Sequence, residues 1–245
     1  MKNPESPFAQ LLRSRPSYVA PVAGERIVVV ADLHDPDCNS SVIANLIRFV
    51  GEWQPQRLVA VASTWCREDP DACVAFAGLL TRLRSVFSGA IVVQANDVPR
   101  AGPGSRWSSL CTAALSDLEV GVVSGIYPIA PDWFSLTATG PGGSRYSGAQ
   151  AIMLARTLQT SIVCNGTSGL AVIGQTSSAD GSARTLWGFE TGTLSRTAAK
   201  AAAGSRPRPE LGFGVIAGTN GLAEPIAVPV QRTGSFTFDG EAYAG

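Results

Sequence analysis

Apolar positions along the chain change rhythm from strand to helix and back. Residues 26–31, RIVVVA, form a short β-branched apolar run, the pattern of a strand covered on both faces. The next apolar positions, Val42, Ile43, Leu46, Ile47 and Val50, recur at helical spacing behind Asn39 and Ser40, either of which can cap a helix. RLVAVA (57–62) predicts a second strand. DPDACVAFAGLLTRLRSVF (69–87) predicts a second helix, with Pro70 near its first turn and Leu79, Leu80, Leu83 and Phe87 on one face. AIVVQA (90–95) predicts a third strand. Strands and helices alternating at these lengths imply right-handed βαβ crossovers and a parallel sheet.

The pattern then loosens. RWSSLCTAALSDL (106–118) reads as a short helix, DWFSLTAT (132–139) as a strand, and the glycine-rich turn GPGGSR leads into a helix over SGAQAIMLARTLQT. SIVCNG (161–166) is a further strand. Beyond it GLAVIGQT, ARTLWGFETG, LGFGVIAG, LAEPIAVPV and SFTFDG read as short strands between Gly, Asn-Gly and Asp-Gly turns. TAAKAAAGSRPRP reads as a small-residue helix followed by a loop. No Pro/Ser linker separates the α/β half from the β half. The expected organisation is an N-terminal arm over 1–24 and a single domain over 25–245.

Composition narrows the classes. Hydrophobic residues make up 45% and charged residues 16% of the 245, a globular balance. The formal net charge is zero, so no overall field draws the chain to nucleic acid or an anionic membrane. The five cysteines, Cys38, Cys66, Cys73, Cys111 and Cys164, include no C-x-x-C pair, which fits reduced thiols better than a zinc cluster. No stretch approaches about 20 apolar residues, and the N-terminus lacks an apolar segment of signal-peptide length. The expectation is a soluble, cytoplasmic protein. The tryptophans Trp53, Trp65, Trp107, Trp133 and Trp187 have no clustered basic residues beside them, and are expected in the core or at its seams rather than as a base-stacking platform.

Sites in open α/β sheets form beyond the carboxyl ends of the strands. Each such end here is polar: Asp32 and His34, then Ser63 and Thr64, then Asn96 and Asp97, then TATG, then NGTSG. His34 is the only histidine in the chain. That excludes a serine triad, and NGTSG is not a Gly-x-Ser-x-Gly elbow. GPGGSR lacks the Gly-Lys-Ser/Thr ending of a P-loop and reads as a plain turn.

ADLHDPD, the segments GEWQPQRLVAVAS, VVQANDVPR, YPIAPDWFSLTATG and SIVCNGTSG, and the tail RTLWGFETGTL, LGFGVIAG, EPIAVPV and GSFTFDG together resemble the calcineurin-like metallophosphoesterases, in the form found in bacteriophages of actinobacteria. The resemblance spans roughly residues 26 to 243. It implies an α/β class fold, a two-sheet α/β/β/α sandwich with mixed sheets. It also implies two metal ions about 3.5 to 4 Å apart that activate water and clamp a phosphate. The family's ligands run Asp-x-His, Gly-Asp, Gly-Asn-His-Asp/Glu, a lone His, and Gly-His-x-His. Asp32, His34 and Asn96 match. The bridging aspartate falls on Ser63, the histidine after the Asn on Asp97, the lone histidine near Ala138, and the last two histidines on Gly166 and Ser168. Without an acidic bridge, two adjacent divalent cations repel each other largely uncompensated.

The implied reading is a catalytically inactive or strongly impaired metallophosphoesterase-like protein, a pseudoenzyme that binds a nucleotide, a nucleic acid or a protein partner. It needs no resident cofactor. One alternative is a divergent phosphoesterase holding a single Mn²⁺ or Mg²⁺ weakly on Asp32, His34 and Asn96, with Asn96 and Asp97 as its catalytic groups. The other is a structural protein of a phage.

Overall fold

The computed structural model describes residues 24–33, 38, 40–63, 70–95, 113–136, 146–179, 182–195, 209–218 and 223–245. Strand β1 (Ile27–Ala31) is buried at every position. Its side chains alternate: Val28 and Val30 enter a core beneath the first helices, while Ile27, Val29 and Ala31 enter a second core between two sheets. A run with no polar position is what a strand buried on both faces needs. Strands β2 (Arg57–Ser63) and β3 (Ala90–Ala95) repeat the pattern. Helix α1 (Ser40–Trp53) joins β1 to β2, and α2 (Pro70–Val86) joins β2 to β3. Leu79, Leu80 and Leu83 of α2 face the first core as their spacing predicted. Within 106–118, residues 113–117 are helical.

Strand β4 (Val120–Ser124) completes the parallel set, and Gly125 passes the chain directly to β5 (Ile126–Ala130) in the other sheet. Strand β6 (Trp133–Leu136), helix α3 (Ala149–Leu158), β7 (Ser161–Cys164), and the hairpin β8 (Leu170–Ala179) and β9 (Ser182–Thr191) follow. Strands β10 (Gly212–Ala217) and β11 (Glu224–Pro229) return to the first sheet, and β12 (Phe236–Phe238) pairs with β13 (Glu241–Tyr243).

The first sheet runs β11-β10-β1-β2-β3-β4, with β1 to β4 parallel and β10 antiparallel to both of its neighbours, β1 and β11. The second runs β5-β6-β7-β9-β8, parallel at its centre and antiparallel at both margins. Both sheets are mixed. A third core, with Phe134, Ala151, Ile152, Ala155, Ile162 and Leu186, lies between the second sheet and α3. The layers are therefore helix, sheet, sheet, helix, as expected. Gly188 lets α3 sit directly on β9: a Cβ there would come within 2.2 Å of the Ile152 amide nitrogen.

Several polar links cross between the sheets, two of them from buried side chains of β2 and β3. Arg57 of β2, itself buried, donates to Tyr127 Oη of β5 at 3.0 Å and pairs with Glu25 at 3.1 Å. Gln94 of β3 donates from Nε2 to the carbonyls of Gly125 and Ser135. The C-terminal hairpin closes over α1. Phe49 meets Phe236, Phe238 and Tyr243 edge-on, and Asn45 Nδ2 donates to the Gly234 carbonyl. Of the tryptophans, Trp133 is buried between the sheets, Trp187 is half-buried there, and Trp53 packs against the first core. Trp65 and Trp107 lie outside the described residues.

Candidate functional site

The carboxyl ends of β1, β7 and β9 converge on Asp32. Strand alternation alone would send the residue after Ala31 back toward the helix side. Asp32 instead takes a left-handed backbone conformation, φ 53°. Asp tolerates this region better than most side chains. The carboxylate thereby reaches the second sheet. Its Oδ2 accepts the Thr193 hydroxyl at 2.6 Å and the Asn165 amide Nδ2 at 3.2 Å. The Asp32 carbonyl accepts the buried Cys38 thiol at 3.1 Å. Two neutral donors thus share one charged oxygen, the stronger class of hydrogen bond.

Each donor is held in turn. Thr193 is fully buried just beyond β9, and its hydroxyl also accepts the Ser195 amide at 3.0 Å. Its own amide donates to the Glu210 carbonyl at 3.0 Å. Asn165 begins the loop that follows β7, and its Oδ1 is buried without a hydrogen-bond partner. The loop is pinned at several points. Ser168, at φ 57°, accepts the Glu210 amide on its carbonyl at 3.0 Å, and Glu210 Oε2 accepts the Leu170 amide at 2.7 Å. Gly166 packs against buried Gln150; a Cβ at Gly166 would lie 2.0 Å from the Gln150 Oε1.

Beneath the loop, Glu190 of β9 has no exposed surface and accepts the Thr167 hydroxyl. Burial raises its carboxyl above the usual range, partly opposed by that hydroxyl, by the amides of Gly148 and Ala151 at the start of α3 and by the amide of Thr167 in the loop. Burial, and then the charge of Glu190, push the neighbouring Cys164 thiol up to about 12. Cys164 therefore stays a thiol near neutrality.

Of the residues singled out from sequence, Asp32 stands at the site. The backbone of Ser63 ends β2 opposite Ala95 of β3, at the same end of the sheet. His34, Asn96, Asp97 and Ala138 lie outside the described residues, as do GPGGSR and 197–208. Asn165 and Thr193 were not singled out. Asn165 lies in the polar strand end NGTSG, and Thr193 two residues beyond the strand GFET.

Among the described residues, no group of three or more His, Cys, Asp and Glu side chains could hold a metal ion. An amide N–H and a hydroxyl hold Asp32 Oδ2, and the Asn165 Oδ1 beside them is buried without a hydrogen-bond partner.

The protein is thus a mixed α/β/β/α sandwich with a polar cluster at the strand ends where its sheets meet. No family model matches the chain. It is 25% identical over 254 residues to the "Gene 54 protein" of Mycobacterium phage D29, across 89% of this chain and 98% of that one. Among solved structures it is similar to Vps29 of Chaetomium thermophilum, with a TM-score of 0.47 and 11% identity over 90% of this chain and 98% of that one. It is similar to Vacuolar Protein Sorting 29 of Cryptosporidium parvum, with a TM-score of 0.47 and 13% identity over 90% and 95%. The nuclease MPE of Pseudomonas putida is more distant, with a TM-score of 0.39 and 12% identity over 82% and 87%. No helix among the described residues is long and apolar enough to cross a membrane.

Proposed function

We propose that this chain is a phage protein of metallophosphoesterase-like descent that acts by binding a protein or a phosphate-containing ligand rather than by two-metal hydrolysis. The observation that carries the reading is the pairing of Asp32 Oδ2 with Thr193 and Asn165. A half-buried carboxylate that neutral protein donors already satisfy does not need a cation to hold its place at the strand ends. The serine at position 63 supports the same reading, since it brings no formal charge to bridge two ions. The phage relative supports a phage origin, and its span of nearly the whole chain supports one unit over 25–245.

The test is hydrolysis of a generic aryl phosphodiester with added Mn²⁺, beside the metal content of the purified protein. No turnover above buffer is expected, and the same result for Asp32→Ala. Turnover that Asp32→Ala abolishes would establish a phosphoesterase instead.

A further inference from the structure

We propose that loop 165–167 is a proton-operated latch: a neutral Glu190 holds it closed, and an ionised Glu190 releases it together with the grip of Asn165 on Asp32. The loop hangs between two carboxyl groups. Asn165 Nδ2 donates to Asp32 Oδ2 at 3.2 Å, and two residues on the Thr167 hydroxyl donates to Glu190 Oε2. Beyond Thr167 the chain is anchored otherwise, by the bonds of Glu210 to Ser168 and Leu170. The segment between the two carboxyl groups can therefore swing without breaking that anchor.

The two carboxyl groups are unequally placed. Asp32 is half-buried and its Oδ2 has two side-chain donors. Glu190 has no exposed surface, and its Oε1 has no hydrogen-bond partner among the described residues. A buried carboxyl in that position is tolerated when neutral and strongly disfavoured when charged. Ionisation thus favours any movement that brings water to Oε1. The neighbours on the inner sides are fixed: Ala151 and Ile152 of α3 and Cys164 of β7 belong to the third core. Thr167 is the neighbour at the surface, half-buried, and both its hydroxyl and its amide reach the carboxyl. Its departure opens Glu190 to water and carries Asn165 with it.

Few other groups compete for this proton among the described residues. Cys164 stands opposite Glu190 on β7, its thiol pushed up to about 12. Ala171 stands opposite it on β8, a strand with no titratable side chain. The first turn of α3 carries no acid, and β1 and β10 of the facing sheet carry no titratable group. Asp32 and Glu210 lie at the two ends of the loop, and Glu224 is exposed on β11. The sign follows from linkage: the closed form binds the proton more tightly than the open one, so rising pH favours opening. This regulation rests on the binding reading above. The Asn165 side of the Asp32 cluster is formed in mild acid and relaxes as pH rises. A ligand that needs Asn165 in place draws a proton onto Glu190 in return.

Amide hydrogen exchange of the full-length chain tests the latch, followed by NMR from about pH 5 to about pH 8 and corrected for intrinsic exchange. The reporters are the Thr167 amide, which lies on Glu190, and the Gly169 amide, which donates to the Thr167 hydroxyl oxygen at 3.2 Å. Their protection should fall several-fold as pH rises, while that of Val163 in β7 stays level. Glu190→Gln is neutral at every pH and should hold all three level. Thr167→Val removes a donor that favours the ionised form inside, so the fall at position 167 should deepen. Level protection in the native chain would overturn the proposal. So would a fall that persists in Glu190→Gln, or one that Thr167→Val leaves no deeper. No ligand enters this experiment, so its failure leaves the binding reading standing, and phosphodiester turnover would leave the latch standing.

Discussion

The Thr193 hydroxyl donates to Asp32 Oδ2 at 2.6 Å, joining residues 161 positions apart in the chain and on different sheets. This bond and that of Asn165 explain how a carboxylate is kept at the meeting point of two buried sheets. Thr193→Val preserves shape and removes the donor. It should lower stability by about 1–2 kcal/mol, because the remaining charged acceptor loses a partner. Combined with Asp32→Ala in a double-mutant cycle, the pair should show a coupling of about 1 kcal/mol by urea denaturation, whereas independent effects would mean the bond does not form.

Arg57 is the buried charge that spans from β2 to Tyr127 and Glu25, its side chain only 3% exposed. Arg57→Ala leaves Glu25 without its cation and empties a packed position. A loss of about 3–5 kcal/mol is expected in chemical denaturation, the range for breaking a buried pair from one side. Arg57→Met, which fills the space, should recover part of that loss.

Glu190 gives the stability a defined pH dependence. Its folded carboxyl is raised by burial, so the native state holds a proton at pH values where the unfolded chain has released it. The sign follows: this group's contribution to stability is greatest in acid and falls as pH rises from the ordinary carboxyl range through the raised folded value. Glu190→Gln removes that dependence. Measured by thermal melts, the stability of the variant relative to the native chain should improve from pH 4.5 to pH 7. A difference that stays flat with pH would show that Glu190 titrates normally.

Gly188 is the close-contact point of α3 on β9. Gly188→Ala places a methyl against helix backbone, which cannot yield as a side-chain tip would. Destabilisation of about 1–3 kcal/mol is expected, with α3 displaced from the sheet. A circular-dichroism melt checks it.

The first half of the fold was legible because β1 is an unbroken apolar run buried on both faces and β2 and β3 are interrupted only at their ends, by Arg57, Ser63 and Gln94. Strands β4 and β5 were not. Gly125 breaks VGVVSGIYPIA in the middle, and Pro128 argues against a strand, yet an outer strand tolerates proline because one side of its ladder is free. The end of β13 was missed for its shortness, three residues held by the aromatic cluster of Phe49 and Phe236. At the site, Asp32 was legible from its place after a strand. Its partners were not, since no local pattern links Asp32 to Asn165 or Thr193 across more than 130 positions. That link is made by the stacking of the sheets and by the left-handed turn at Asp32. The buried arginine was hidden likewise, because its partners Glu25 and Tyr127 come from a different segment and a different sheet.

In the binding reading, protein donors rather than paired cations satisfy the strand-end carboxylate. Titration of the native chain with Mn²⁺ by isothermal calorimetry, with Asp32→Ala and Thr193→Val in parallel, measures this most directly. No stoichiometric uptake, and the same flat titration for both variants, is the expected result. Uptake of two ions per chain that disappears in Asp32→Ala would contradict it.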